Sequence, residues 1–383
     1  VSLFYFNEEH QAVRETARRF TEKEITPFID EWEESGGIPR ELFLKAGEAG
    51  LLGMGYDEQY GGTPGDIFHA IAINEELMRA GSGGVVAGLQ SLNIGLPPVH
   101  RWGSDTLKAR IIPEVLAGSK IACLAITEPG AGSDVAGLRT RAEQVTVDGK
   151  PFYKVNGSKM FITSGVIADY YTVAVRTGGE GFGGISLLLI EKDIKGFSVG
   201  KNLKKMGWWA SDTAELFFDD CLVPAENLIG QENQGFYCIM SNFQPERISL
   251  AVMANTTSEV ALNACLEYVK DRSTFGKTLK DHQIIRHKLA VMASKLEASR
   301  EFTYRIAARY QAGEDVSMEV SMAKNIATDT SDHITYQATQ IFGGMGFMRE
   351  SVVERLYRDN RILAIGGGTY EIMNEVIAKN LGL

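Results

Sequence analysis

Apolar residues recur at helical spacing through roughly the first 120 positions. Val13, Ala17 and Phe20 fall at i, i+4 and i+7 behind Asn7, a residue suited to capping a helix start. Pro39 with Glu41 opens a second helix, Leu42, Phe43 and Ala46 form its stripe, and Gly50 ends it. Further helices are predicted around 66–79 and 104–118, the latter with Pro113 as boundary or kink. From Ile121 the period shortens. Strand-like runs occupy 121–127, 142–147, 152–155, 159–163, 170–176 and 185–191, with more to about 219. Asp148-Gly149 and Asn156-Gly157 read as hairpin turns between them. Strands this close, without intervening helices, predict an antiparallel sheet or barrel rather than βαβ units. After Gly235 helical stripes return, with Leu262, Leu266 and Val269 on one that ends near Arg272, then helices over 281–312 and 316–342. The chain is thus mainly α with a β domain: an N-terminal helical domain over 1–120, a middle β domain over 121–230 and a C-terminal helical bundle over 231–383.

Composition adds one anomaly to this picture. Of 383 residues 41 are glycine, where about 7% usage gives roughly 27. They bunch at 81–84, 130–132, 178–184, 343–346 and 366–368, without a collagen period or a linker tract. Bunched glycine in a folded chain suggests backbone brought close to a ligand. A net charge of -10 argues against nucleic acid or an anionic membrane as partner. Residues 80–100 lack Asp, Glu, Lys and Arg, yet five glycines and Pro97-Pro98 make them too weakly apolar for a span; they read as buried interior. The four cysteines are scattered without metal spacing, so reduced thiols and no metal are expected. No targeting segment is visible around Asn7-Glu8-Glu9, and the chain opens on Val1. The expected location is the bacterial cytoplasm, or the mitochondrial matrix for a processed eukaryotic chain.

Familiar cofactor motifs fail. Gly130-Ala131-Gly132 would need a third glycine where Val135 stands, and Gly276-Lys277-Thr278 would need a first glycine at Asp271. His282 and His287 miss the spacing of a helical metal pair. Five other stretches carry chemistry. ITEPGAGSD at 126–134 offers open backbone beside the Thr127 and Ser133 hydroxyls, and GSKMFITSG at 157–165 puts an aromatic beside a hydroxyl. Strand alternation there predicts Met160 and Ile162 on one face and Phe161 and Thr163 on the other. RSTFGKTLKDHQ at 272–283 places a cation before a tight turn, and QIFGGMGF at 340–347 and GGGTYEI at 366–372 interrupt helices with glycine. Each alone is equally a turn, a half-buried strand or a solvated helix end.

Together, in this order, they resemble the acyl-CoA dehydrogenase family, whose helical, β and helical domains match the pattern above. The resemblance implies FAD held between the middle and C-terminal domains. Leu124, Ile126, Thr127, Gly132 and Ser133 would line flavin or thioester, with Phe161 and Thr163 at the flavin ring system. Arg272, Phe275, Gln283, Gln340 and Gly344 would reach the same FAD from a neighbouring subunit, which implies an oligomer, typically a tetramer. Thr369 and Glu371 would complete the cofactor site. Ser133, Gln244, Arg247 and Gly368 would contact the acyl-CoA substrate, and electrons would pass to electron-transfer flavoprotein.

The implied reaction is α,β-dehydrogenation of the thioester, with the Gly367 N–H polarising its carbonyl. Most members carry the catalytic glutamate directly before the Gly-Thr of the last motif, where this chain has Gly367. A subgroup resembling the long-chain and isovaleryl-type enzymes carries it on an earlier helix, before an arginine. Here Glu246 precedes Arg247, so Glu246 is the expected base. Rival readings are an oxygen-using flavoprotein of the same fold (an acyl-CoA oxidase or a monooxygenase), a non-catalytic partner in a hetero-oligomer, or a nucleic-acid-binding homologue. Gly83, Gly84, Ala87 and Gly88 either leave room for a long or branched acyl chain or permit tight helix packing.

Overall fold

The computed structural model describes residues 4–383. The Glu8–Phe20 helix begins at Asn7, whose side chain accepts the His10 N–H while the His10 ring accepts the Asn7 N–H. The Arg40–Glu48 helix follows Pro39 with Leu42, Phe43 and Ala46 buried. The Asp105–Leu116 helix runs past Pro113 rather than stopping there. Residues 83–102 form three short helices, Gly83–Leu89, Leu92–Gly95 and Pro97–Trp102, largely buried. No helix among the described residues is long and apolar enough to cross a membrane.

The middle of the chain forms β1 (Ala122–Ala125), β2 (Arg141–Val147), β3 (Lys150–Thr163), β4 (Tyr170–Arg176), β5 (Ile185–Glu191), β6 (Phe197–Asn202), β7 (Thr213–Pro224) and β8 (Leu228–Ile229). They make one sheet in the order β6-β7-β3-β2-β4-β5-β8, with β1 also on β4. Most pairs are antiparallel as expected, but β1 runs parallel to β4 and β2 meets β4 in parallel at Arg141, so the sheet is mixed. β4 and β5 are mostly apolar and are buried on both faces up to their last residue, as strands covered on both sides are. Asp148 and Gly149 turn the β2–β3 hairpin with positive φ.

Asn156-Gly157 does not turn the chain. β3 passes straight through it with a register shift against β7, a bulge rather than a hairpin. Two forces override the local preference: pairing to β7 continues on both sides, and Asn156 exchanges hydrogen bonds with Asp220. Gly157 also lies against Thr140, where a Cβ would sit 2.6 Å from Oγ1. A second shift between Lys159 and Ile162 breaks the expected alternation, because Phe161 adopts φ +62.

The C-terminal bundle consists chiefly of the Phe243–Asp271, Gln283–Gln311 and Ser317–Phe342 helices, followed by Val352–Asn360 and Tyr370–Asn380. Leu262 and Val269 are buried in it, whereas Leu266 is exposed on the outside of its helix.

Candidate active site

The 126–134 segment leaves β1 and folds back on itself, Glu128 and Ala131 exchanging backbone hydrogen bonds at 2.9 and 3.2 Å. The Met160 N–H donates to the Thr127 carbonyl at 2.8 Å, bringing the first two chemistry-bearing stretches side by side. Behind them lies a buried ion pair that charge and periodicity did not announce. Lys159 Nζ donates to Glu128 Oε1 at 2.8 Å and to the Ile126 carbonyl at 3.0 Å. The Glu128 carboxylate also accepts the Arg139 and Thr140 N–H groups. Burial pulls Lys159 down to about 8 against the attraction of Glu128. Burial likewise opposes the charge on Glu128, but Lys159 and the N–H donors outweigh it and hold the carboxyl below its ordinary range. The two partners thus shift in the same direction, and the pair is ionised at neutral pH.

Removing one partner of a buried pair costs about 3–5 kcal/mol. Lys159→Met is therefore expected to loosen the 126–134 segment and lower thermal stability. Calorimetry with a parallel count of bound flavin checks it, and an unchanged melting temperature contradicts it.

The other half of the site is built by two helices and a turn. Glu246 stands in the first turn of the Phe243–Asp271 helix with Arg247 directly after it, and Pro245 occupies a position whose N–H would go unused. Glu246 is half-buried and Arg247 buried. Gly367 and Gly368 follow in the turn before the Tyr370–Asn380 helix, with φ +64 and +98. Arg247 Nε donates to the Gly367 carbonyl at 3.4 Å. A Cβ on Gly367 would lie 3.4 Å from Glu246 Oε1 and 2.5 Å from Leu250 Cδ1. The carboxylate from the earlier helix therefore occupies the space facing Gly367. Burial raises the Glu246 carboxyl to about 7, Arg247 and Lys324 opposing. Lys324, from the Ser317–Phe342 helix, is fully buried and donates to the Gly368 carbonyl at 2.7 Å. Its position on the stripe of Val320, Ala327 and Ser331 was the one available sequence cue.

Three family models cover most of the chain: the N-terminal domain of acyl-CoA dehydrogenase matches residues 7–119, the middle domain 123–221 and the C-terminal domain 233–382. The chain belongs to the acyl-CoA dehydrogenase family. It is 40% identical to the long-chain specific acyl-CoA dehydrogenase of Sus scrofa mitochondria, over 98% of this chain and 87% of that one. A probable acyl-CoA dehydrogenase of Mycobacterium abscessus superposes with a TM-score of 0.96 at 52% identity, covering 99% and 100% of the two chains. An acyl-CoA dehydrogenase of Bacillus anthracis, solved in complex with FAD, superposes at 0.93 with 30% identity over 100% and 68%.

The residues expected at the flavin leave open surface for a flat heterocycle. Phe161 projects its ring, 61% exposed, from a left-handed backbone position where β3 breaks register. Nothing lies within 4 Å of a Cβ on Gly130, and only the Thr127 methyl approaches one on Gly132, so open backbone faces outward here. Leu124, Ile126, Thr127 and Thr163 are half-buried around it, and Ser133 is exposed. Thr369 caps the final helix by accepting the Ile372 N–H, which leaves Glu371 exposed at its first turn.

Arg272, Phe275, Gln283, Gln340 and Gly344 form a separate set, all exposed on this chain. The hairpin of 273–278 is closed by local bonds, and Phe275 stands 97% exposed at φ +50. The turn at 343–347 is braced from behind, where Tyr268 stacks on Phe342 at 4.1 Å. The Gln244 amide donates to Ser317 Oγ at 2.9 Å. Gly83 and Gly84 are closed in by their neighbours, whereas Gly88 lines a cavity of about 380 Å³ together with Ile38 and Ser211. Cβ atoms on Gly83 and Gly84 would collide with the Trp208–Ala210 segment, and one on Gly88 would press on Ile38. Gly83 and Gly84 therefore serve close packing and leave no room for an acyl chain.

Proposed function

We propose that this chain dehydrogenates an acyl-CoA thioester between its α and β carbons, with FAD as cofactor and Glu246 as the general base. One observation carries the reading: the Glu246 carboxylate, raised to about 7 by burial, faces Gly367 at the turn where most of the family places its glutamate. FAD, when bound, accepts the hydride that leaves the β carbon. Glu246 takes the α proton at a carboxylate oxygen. The Gly367 N–H supports the thioester carbonyl as enolate charge develops on its oxygen. Arg247, buried against the same turn, orients Glu246 and the turn together. Phe161, Thr163, Thr127 and Ser133 hold the ring system of the cofactor on the β-domain side.

The exposed set around Phe275 completes the same cofactor site in a second copy, so the working form is an oligomer, a tetramer by family likeness. A ring almost wholly in solvent on a hairpin closed by its own hydrogen bonds supports that arrangement. Electron-transfer flavoprotein is the acceptor by the same likeness.

Anaerobic titration with short, medium, long and branched acyl-CoA thioesters tests the reading. The flavin absorbance is expected to bleach stoichiometrically with at least one of them. Hydrogen peroxide formed in step with turnover in air would assign the chain to the oxygen-using flavoproteins instead. A colourless preparation that cannot be loaded with FAD would overturn the proposal.

A further inference from the structure

Lys324 is a buried cation for which the dehydrogenation scheme has no use. A lysine is seldom fully buried, and its stem alone could be replaced by methionine without loss of packing. Its ammonium makes a hydrogen bond to the Gly368 carbonyl, while Arg247 reaches the preceding carbonyl, Gly367, from a different helix. Two consecutive peptide groups of the turn are therefore gripped by two cations on two helices. The turn needs such a grip. Three glycines in a row have the widest backbone freedom available, and positive φ at two of them is held by nothing intrinsic.

We propose that Lys324 is a positioning residue that sets the angle of the 366–368 turn against Glu246 and, while protonated, supplies positive charge beside the base. This rests on the reading of Glu246 as the base. The charged groups facing the Glu246 carboxylate are Arg247 on its own helix and Lys324 on the Ser317–Phe342 helix; the turn itself presents only glycines, and Leu250 is apolar. The ammonium is itself held down to about 8, first by burial and then by Arg247, with Glu246 opposing. Each group thus depends on the others for its charge, and removing Lys324 leaves burial less opposed at Glu246.

The test is the pH profile of kcat for FAD-loaded Lys324→Met and Lys324→Gln. In both, the acid limb is expected to move up by about one pH unit, because an opposite charge near a carboxylate holds its pKa down. For Lys324→Met, kcat at the plateau is expected to fall about tenfold or more as the turn loses its anchor. A lysine that merely filled space would affect melting temperature and flavin retention, but not the limb. A wild-type limb in either neutral variant overturns the proposal. Should neither neutral variant fold, Lys324→Arg decides it. The longer guanidinium keeps the charge but displaces it from the Gly368 carbonyl, so a wild-type limb with reduced kcat is expected, and wild-type kcat overturns it. Glu246→Gln run alongside separates the two claims. If that variant keeps both turnover and limb, the base assignment has failed. If it loses turnover while the limb of Lys324→Met is unmoved, only the role of Lys324 has failed.

Discussion

Glu246→Gln is expected to lower kcat by about 10²–10⁴-fold, the usual contribution of a positioned base, while FAD content and oligomeric state stay as in wild type. Glutamine keeps the volume of the side chain and a carbonyl oxygen beside Gly367, but it cannot take a proton. Stopped-flow bleaching of the flavin measures the step directly. Bleaching at the wild-type rate in loaded protein would remove Glu246 from the mechanism. The wild-type enzyme should also show the base in its pH dependence. Burial raises the carboxyl to about 7, so the reactive ionised form is lost as pH falls through that value and gained as it rises. Activity should therefore climb between about pH 6 and 8. An ordinary carboxylate would have placed that climb below pH 5.

Gly367→Ala is expected to be nearly as damaging, although it adds a single methyl group. Two costs coincide. The backbone stands at φ +64, where an L side chain is strained by about 1–2 kcal/mol. The new Cβ would lie 2.5 Å from Leu250 Cδ1, so the turn or the Leu250 side chain must shift, and at 3.4 Å from Glu246 Oε1 it leaves the base no slack on that side. A misplacement of about 1 Å at reacting groups costs about 10²-fold in rate. The double variant Gly367→Ala/Leu250→Ala separates the costs, because it removes the collision and leaves the backbone strain. Partial recovery of kcat is expected. A single variant with wild-type kcat would mean that the turn is not held against Glu246 in the way its packing indicates.

Features that depend on near neighbours were legible in the chain. Asn7, Pro39 and Asp148-Gly149 each act through residues within a few positions, and each ends or starts an element where the pattern placed it. Asn156-Gly157 carried the same local preference as Asp148-Gly149 but was overruled by strand pairing with β7, about 60 residues away in sequence. Leu266 fits the apolar stripe by spacing, yet the helix turns it to the outside. Lys159 and Lys324 were illegible for a different reason. Lysine is ordinarily placed in solvent, and only the folded chain brings one to Glu128 and the other to a glycine carbonyl. The absence of an acid at Gly367 was visible in the sequence, and so was the acid at Glu246. Their adjacency, across 121 positions, was reached only through family resemblance.

That adjacency limits how such an enzyme can change. Positions 246 and 367 address one volume, and two carboxylates crowded into it would have to share a proton. A base cannot therefore be duplicated as an intermediate step without titrating its twin. A lineage that relocates its acid from one chain position to the other must cross either a state with no base or a state with a compromised pair. At 367 the left-handed backbone and the Leu250 methyl 2.5 Å from any Cβ admit glycine and resist every larger residue, which makes the present arrangement difficult to leave by single substitutions.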